Sequence, residues 1–168
     1  MTAPEPATPA VRLAGPQDAA LVGRLLFDFN TEFETATPSA EEFADRFEDL
    51  LAREDVLVVL TEDPRASAGT ATGFGYLTLR PTPYGDGPLA QLEELYVVPA
   101  LRDRGIGTAL LTRAVAEVLA RGAIEIHINV DEVDTDTRRF YERHGFTNIE
   151  PGEDHRMLCY LRELDPPG

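Results

Sequence analysis

The chain carries one cysteine, Cys159, in 168 residues, so it has no second thiol with which to close an internal disulfide. It has no apolar run near the ~18 residues that a membrane-spanning helix needs. Its start, Met1-Thr2-Ala3-Pro4-Glu5-Pro6, has neither the basic nor the apolar region of a secretory leader. No His or Cys cluster shows metal-ligand spacing, so no metal site is expected, and no Gly-Lys-Ser/Thr element is present for a nucleoside triphosphate. Positive charge is scarce as well: 15 basic residues against 30 acidic ones give a formal net charge of −15. Such a field repels polyanions over roughly one Debye length, about 8 Å at physiological salt, which makes nucleic acid and anionic membrane poor partners. These absences leave the expectation of a soluble, cytoplasmic protein, long enough to bury a core without disulfide or metal support.

What is present is a succession of short periodic segments. Residues 1–9, with three prolines and nothing to bury, read as a disordered arm. Residues 10–164 read as a single domain and 165–168 as a fraying tail. Val11 to Leu13 is a short strand, and Pro16 to Phe33 is a helix with Leu21, Val22, Leu25, Leu26, Phe29 and Phe33 at helical spacing. Ser39 followed by Glu42 has capping-box spacing ahead of a second helix whose buried stripe is Phe43, Phe47, Leu50 and Leu51. Val56 to Leu60 and Thr72 to Leu79 form a hairpin across the turn-rich residues 63–69. Pro81 to Pro88 is a loop, in which Tyr84 reads more readily as an aromatic packed beneath it than as a substrate contact. Ile124, Ile126, Ile128 and Val130 alternate with polar residues as a strand; a helix runs from Thr135 to Arg143, and Phe146 to Glu150 and Arg156 to Leu161 are expected to close the sheet.

The centre of the chain is more specific. An apolar run, Leu89 to Val98, leads into Arg102-Asp103-Arg104-Gly105-Ile106-Gly107 and then into an amphipathic helix, Thr108 to Arg121, which Gly122 stops. A helix start has backbone N–H groups without intrahelical partners, and they point at whatever anion sits there. The glycines permit close backbone approach, and two arginines beside the turn in an acidic chain suggest a local anionic ligand.

Strand, R-x-x-G-x-G and helix, then a strand and Phe140-Tyr141-Glu142-Arg143-His144-Gly145-Phe146, resemble the GCN5-related N-acetyltransferase (GNAT) family. Leu95-Tyr96-Val97-Val98-Pro99 and Arg102 to Gly107 match that pattern, as do Tyr141 and Gly145-Phe146. Asp134 and Thr137 depart from it, standing where the family has Asn and Ala, although an aspartate there can still cap the helix. The resemblance implies an α/β (α+β) fold, a mixed and mostly antiparallel central sheet of six or seven strands with about four helices around it. It implies acetyl-CoA as cosubstrate. Arg102, Asp103, Arg104, Gly105, Ile106, Gly107 and Thr108 would cradle the pyrophosphate, and Leu95, Tyr96, Val97 and Val98 would pair with the pantetheine arm as with an added strand. Asp134 and Tyr141 complete the implied cofactor contacts.

Acetyl transfer to an amine needs a held donor, a neutral amine, a stabilised oxyanion and a proton for the leaving thiolate. The resemblance places Tyr141 as the acid, and a phenol with a pKa near ~10 is still protonated at neutral pH. Glu93 and Glu94, charged residues in an otherwise apolar strand, are the contenders for the base. Acetyltransferases of small polyamines look similar here, which favours Glu93, but the family's strand is bulged and alternation does not select between the two. A backbone N–H between Leu95 and Val97 would serve the oxyanion. Asp28, Glu32 and Glu34 would suit a cationic amine and equally form a solvated helix face. His144, in a helix's last turn, complements the helix dipole, and His127 reads as a half-exposed strand residue. The expected reaction is transfer to a primary amine of a small molecule. A dinucleotide fold is disfavoured because Leu110 stands where its third glycine belongs. The alternative from another class is a non-catalytic acyl-CoA sensor on the same scaffold, and a homodimer joined at the sheet's C-terminal edge is the analogy for assembly.

Overall fold

The computed structural model describes residues 9–63 and 70–166, so the proposed arm lies, but for Pro9, outside the described residues, as do most of the hairpin turn and the last two tail residues. The chain divides into two compact units after Ile128. The first holds β1 (Val11–Leu13), α1 (Ala19–Glu32), α2 (Ala40–Leu51), β2 (Val56–Glu62), β3 (Ala71–Arg80), β4 (Leu89–Val97), α3 (Ile106–Ala120) and β5 (Glu125–Ile128). The second holds α4 (Thr135–Arg143).

The sheet runs in chain order, β1-β2-β3-β4-β5, with antiparallel pairs until α3 carries the chain over to a parallel β5. A crossover of that length is what a parallel neighbour requires. The expected β2–β3 hairpin is present, with Val59 opposite Gly75 and Leu60 opposite Phe74. β2 is buried from Val56 to Thr61 without alternation because both faces of the sheet are covered there. Val58, Leu60, Phe74 and Tyr96 face α1 and α2 and form one core with Val22, Leu25, Leu26 and Phe47. Residues of the opposite parity face α3, whose Leu110, Leu111, Ala114 and Val118 are buried. Gly73 shows how close that packing is: a Cβ there would stand 2.7 Å from the Tyr96 carbonyl oxygen and 3.0 Å from Leu110 Cδ1.

Helix starts follow local chemistry. Ser39 Oγ accepts from the Glu42 N–H at 3.1 Å and the Glu42 carboxylate accepts from the Ser39 N–H at 2.8 Å, the reciprocal cap expected from the sequence. α1 begins after a 3-10 turn, Pro16–Asp18, and the Arg12 guanidinium there binds Asp18 at 2.8 and 2.9 Å and Glu62 at 3.0 Å. That network ties β1 and the end of β2 to the entry of α1.

Three expectations need correction. The sheet has five strands among the described residues, not six or seven, while the four α-helices match. Phe146 to Glu150 and Arg156 to Leu161 are not strands: residues 147–166 are exposed, and although the Met157 N–H donates to the Asn148 carbonyl at 2.6 Å, no ladder follows. A strand holds only where a neighbour accepts its hydrogen bonds and one face is covered, and neither condition is met there. Tyr84 is 89% exposed rather than packed under its loop.

Candidate active site

The site begins with a defect in β4. Tyr76 pairs with Glu94, but the next residue, Leu77, pairs with Leu92, so Glu93 is the extra residue of a β-bulge. Strand alternation would send Glu93 and Glu94 to opposite faces of the sheet. The bulge cancels one step of it. Glu94 lies opposite Tyr76, whose ring meets Phe47 of α2 edge-on at 5.5 Å, and Glu93 accepts from the hydroxyl of Thr78, on the same face, at 2.6 Å. Burial, and next the charge of Glu93, push the Glu94 carboxyl up to about 7. Burial and the same two carboxylates raise the Tyr76 hydroxyl. Glu93 is exposed; Glu94 is the shielded member of the pair.

Beyond the bulge the edge of β4 opens. β5 pairs with β4 only from Leu89 to Leu92 and stops at Ile128, short of the expected Val130. The Val98 N–H donates to the Thr72 carbonyl at 2.9 Å, while Val97 lies opposite Gly73 and Leu95 opposite Gly75. In an antiparallel ladder that phase puts Val97 and Leu95 in non-hydrogen-bonded pairs, so their N–H and C=O groups point away from β3. Tyr96 bonds into β3. Of the four residues expected to receive an added strand, Leu95 and Val97 therefore present backbone groups outward, next to the bulged carboxylates, and Tyr96 contributes its ring to the core.

After β4 a 3-10 turn, Pro99–Leu101, leads into the loop. Asp103 has φ +60° and Gly105 φ +81°, and Gly105 caps α3. A Cβ on Gly105 would meet nothing within 4 Å, so the glycine answers to its backbone angle rather than to packing. No side chain caps α3 and its first turn, unlike that of α2, holds no acidic residue. A 15-residue helix with that end exposed suits an anion. These residues fit a pyrophosphate, and the outward groups of Leu95 and Val97 fit an amide-bearing arm.

The two arginines of the loop differ. Arg104 is exposed and makes no ion pair among the described residues. Arg102 is engaged on three sides: both terminal nitrogens reach the Glu32 carboxylate, at 2.6 and 2.7 Å, and Nε donates to the Val97 carbonyl at 3.0 Å. Its guanidinium carbon lies 5.6 Å from the Tyr96 ring centroid. Glu32 is thereby committed to Arg102 rather than to an acceptor, and Asp28 pairs with Arg24 at 3.0 Å. His127 lies on the polar side of β5, 2.8 Å from Glu125. Sequence reasoning did not single out Tyr76 or Thr78; only the pairing register brings them beside the carboxylates.

In the second unit Asp134 caps α4, its Oδ1 accepting from the Thr137 N–H at 3.3 Å. Tyr141, two turns on, is buried between Phe140 and Phe146, with ring centroids at 5.2 and 5.3 Å. His144, just past the last turn, approaches the Phe140 carbonyl through Nδ1 at 2.7 Å. Among the described residues no group of three His, Cys, Asp or Glu side chains could hold a metal, and no helix is long and apolar enough to cross a membrane.

The family model of the GNAT acetyltransferases matches residues 23–146, from α1 to the turn after α4. The chain belongs to the GNAT acetyltransferase family. GNAT enzymes use acetyl-CoA as cosubstrate. A crystal structure of a presumed acetyltransferase from Arthrobacter sp. FB24 superposes with a TM-score of 0.86 at 46% identity, covering 95% of this GNAT chain and 99% of that one. Mycothiol acetyltransferase of Thermobispora bispora is 36% identical over 81 residues, 48% of this chain and 28% of its own length. Aminoglycoside N(6')-acetyltransferase type 1 of Klebsiella aerogenes is 29% identical over 113 residues, 65% of this chain and 66% of its own. The chain thus spans under a third of the first of these curated relatives and about two thirds of the second.

Proposed function

We propose that this GNAT protein is an acetyl-CoA dependent N-acetyltransferase that acetylates a primary amine of a small, cationic molecule by direct attack. The observation that carries the reading is the bulge at Glu93, which sets two carboxylates on one face of β4 immediately before the outward-facing backbone of Leu95 and Val97. When bound, acetyl-CoA supplies the thioester carbon that the amine attacks. Leu95 and Val97 orient the pantetheine arm through their outward groups, and one of their N–H groups donates to the developing oxyanion. The N-terminus of α3, from Arg104 to Thr108, holds the pyrophosphate. Glu94 takes the proton from the amine, directly or through a water, since a base with a pKa of about 7 is about half ionised at neutral pH and more basic than an ordinary carboxylate. Glu93, bonded to Thr78, supplies the second negative charge that draws a cation to this face. Tyr141 is the acid that the family resemblance implies for the leaving thiolate, a phenol still protonated at neutral pH. The acidic face, and relatives that include an aminoglycoside acetyltransferase, support a cationic acceptor.

Acetyl transfer from acetyl-CoA to a panel of polyamines, aminoglycosides and amino acids tests this, with Glu94→Gln as the decisive variant. The wild type should show a kcat/KM that rises through about pH 7 and then levels. Glu94→Gln should lower it by about 100-fold or more and remove that limb, whereas Glu93→Gln should mainly raise the KM for the amine. The same variant has a stability signature. The folded carboxyl titrates above its ordinary value of 4.5, so between pH 4.5 and about 7 the folded state binds more protons than the unfolded one, and stability falls as pH rises through that window. Because the group is partly solvated, the loss is on the order of 1–2 kcal/mol, and Glu94→Gln should recover it above pH 7 and not below pH 4.5. Coenzyme A binding without turnover on any amine, together with no change on Tyr141→Phe, would replace this reading with that of an acyl-CoA sensor.

A further inference from the structure

The contact between Glu32 and Arg102 joins the last residue of α1 to the first residue of the loop, 70 positions apart in the chain. We infer that Glu32 is a positioning residue for acetyl-CoA: through Arg102 it fixes both the start of the pyrophosphate loop and the outward carbonyl of Val97. The inference rests on the acetyl-CoA site proposed above.

Three observations carry it. The pair is bidentate, at 2.6 and 2.7 Å, a geometry that sets orientation as well as distance. The remaining edge of the guanidinium, Nε, donates to the Val97 carbonyl at 3.0 Å, one of the backbone groups that the phase of the ladder turns toward the open edge of β4. The plane is further held over Tyr96, whose ring lies 5.0 Å from that of Phe29 on α1. Arg102 is thus a brace: with its two ends on Glu32 and its side on Val97, it is not free to follow a phosphate, and Arg104 is left as the exposed cation of the loop. By occupying the Val97 carbonyl it also marks where the pairing of an added strand stops, leaving the Val97 N–H and both groups of Leu95 to the ligand. The chain has no lysine, so its 15 Lys-or-Arg positions are all arginine. Here that matters, because an ammonium in the same place could not span both carboxylate oxygens and a carbonyl at fixed angles.

Calorimetric titration of coenzyme A into the full chain and into Glu32→Ala, Glu32→Asp, Arg102→Ala, Arg102→Lys and the Glu32→Ala/Arg102→Ala double variant tests this. The brace predicts that either alanine substitution weakens coenzyme A by about tenfold and that the double variant is no worse than the single ones, the signature of two groups acting as one. Arg102→Lys should resemble Arg102→Ala, and Glu32→Asp should recover part of the affinity. With an active amine, the KM for acetyl-CoA should rise while kcat is retained, a split that general destabilisation does not produce. Unchanged or tighter binding by Glu32→Ala overturns the proposal, since tighter binding is what a phosphate-seeking arginine released from a competitor would give. Additive losses in the double variant overturn it as well. A wild type that fails to bind coenzyme A sinks the proposed site and this inference together, whereas a wild type that binds and a Glu32→Ala that binds equally sink this inference alone.

Discussion

The N-termini of α2 and α3 solve one problem in opposite ways. Both helices begin with backbone N–H groups that have no carbonyl four residues back. α2 answers within the chain: Ser39 and Glu42 bond each other's backbone, and Glu41 and Glu42 put negative charge against the positive end of the helix dipole. α3 has no side-chain cap, no acid in its first turn, a left-handed glycine in place of a capping residue, and Arg104 exposed beside it. The same electrostatic demand is met by side chains in one helix and left without a side-chain cap in the other. A helix capped by its own side chains is a scaffold; the one left uncapped beside an arginine and an open strand edge is where we propose that the pyrophosphate sits.

The sharpest way to break this contrast is to give α3 an internal acid. Gly105→Glu forces a side chain into a φ of +81° and places a carboxylate at the anion position. Coenzyme A affinity, measured by calorimetry, should fall on the order of 100-fold. Affinity at the wild-type level would mean that the pyrophosphate lies elsewhere. A smaller effect separates the two arginines. Arg104→Ala should weaken coenzyme A by only about twofold to fivefold, and the difference should fade between low and high salt because an exposed charge is screened. A large, salt-independent loss would instead make Arg104 a seated ligand of the phosphate. The control lies in α2. Ser39→Ala should cost about 1 kcal/mol of stability in urea unfolding and leave coenzyme A affinity untouched, because that cap serves only its own helix. Were its effect on binding as large as that of Gly105→Glu, the two helix ends would not be functionally distinct.

The sequence made much of this visible because the signals were local. Ser39 with Glu42, the apolar stripe of α2, the glycine at 105 and the aspartate at 134 are read within one or two turns of chain: the structure shows both caps, buries Phe47 with Phe43, Leu50 and Leu51 packed against the same core, and holds Gly105 left-handed at the start of α3. The family resemblance added the order of those parts. What was not visible came from pairing. Glu93 and Glu94 are adjacent acids in a strand, and nothing in their neighbourhood says that a bulge turns both to one face or that Tyr76 and Thr78 stand across from them. Glu32 looked like one acid among several on a helix face until the fold brought Arg102 against it. The two terminal segments expected as strands, Phe146 to Glu150 and Arg156 to Leu161, lack what no local pattern supplies, a partner for their hydrogen bonds.

By itself, the order of residues determined roughly where helices begin and end, which faces of them are apolar, and that one glycine-containing turn joins a strand to a long helix, since each of these depends on interactions a few residues long. Tertiary structure decided which carboxylate is shielded, which backbone groups of β4 face outward, and which of two neighbouring arginines is held. Those are set by strand register and by contacts across as many as 70 positions of chain, and a change of one residue in register would exchange the two faces of β4.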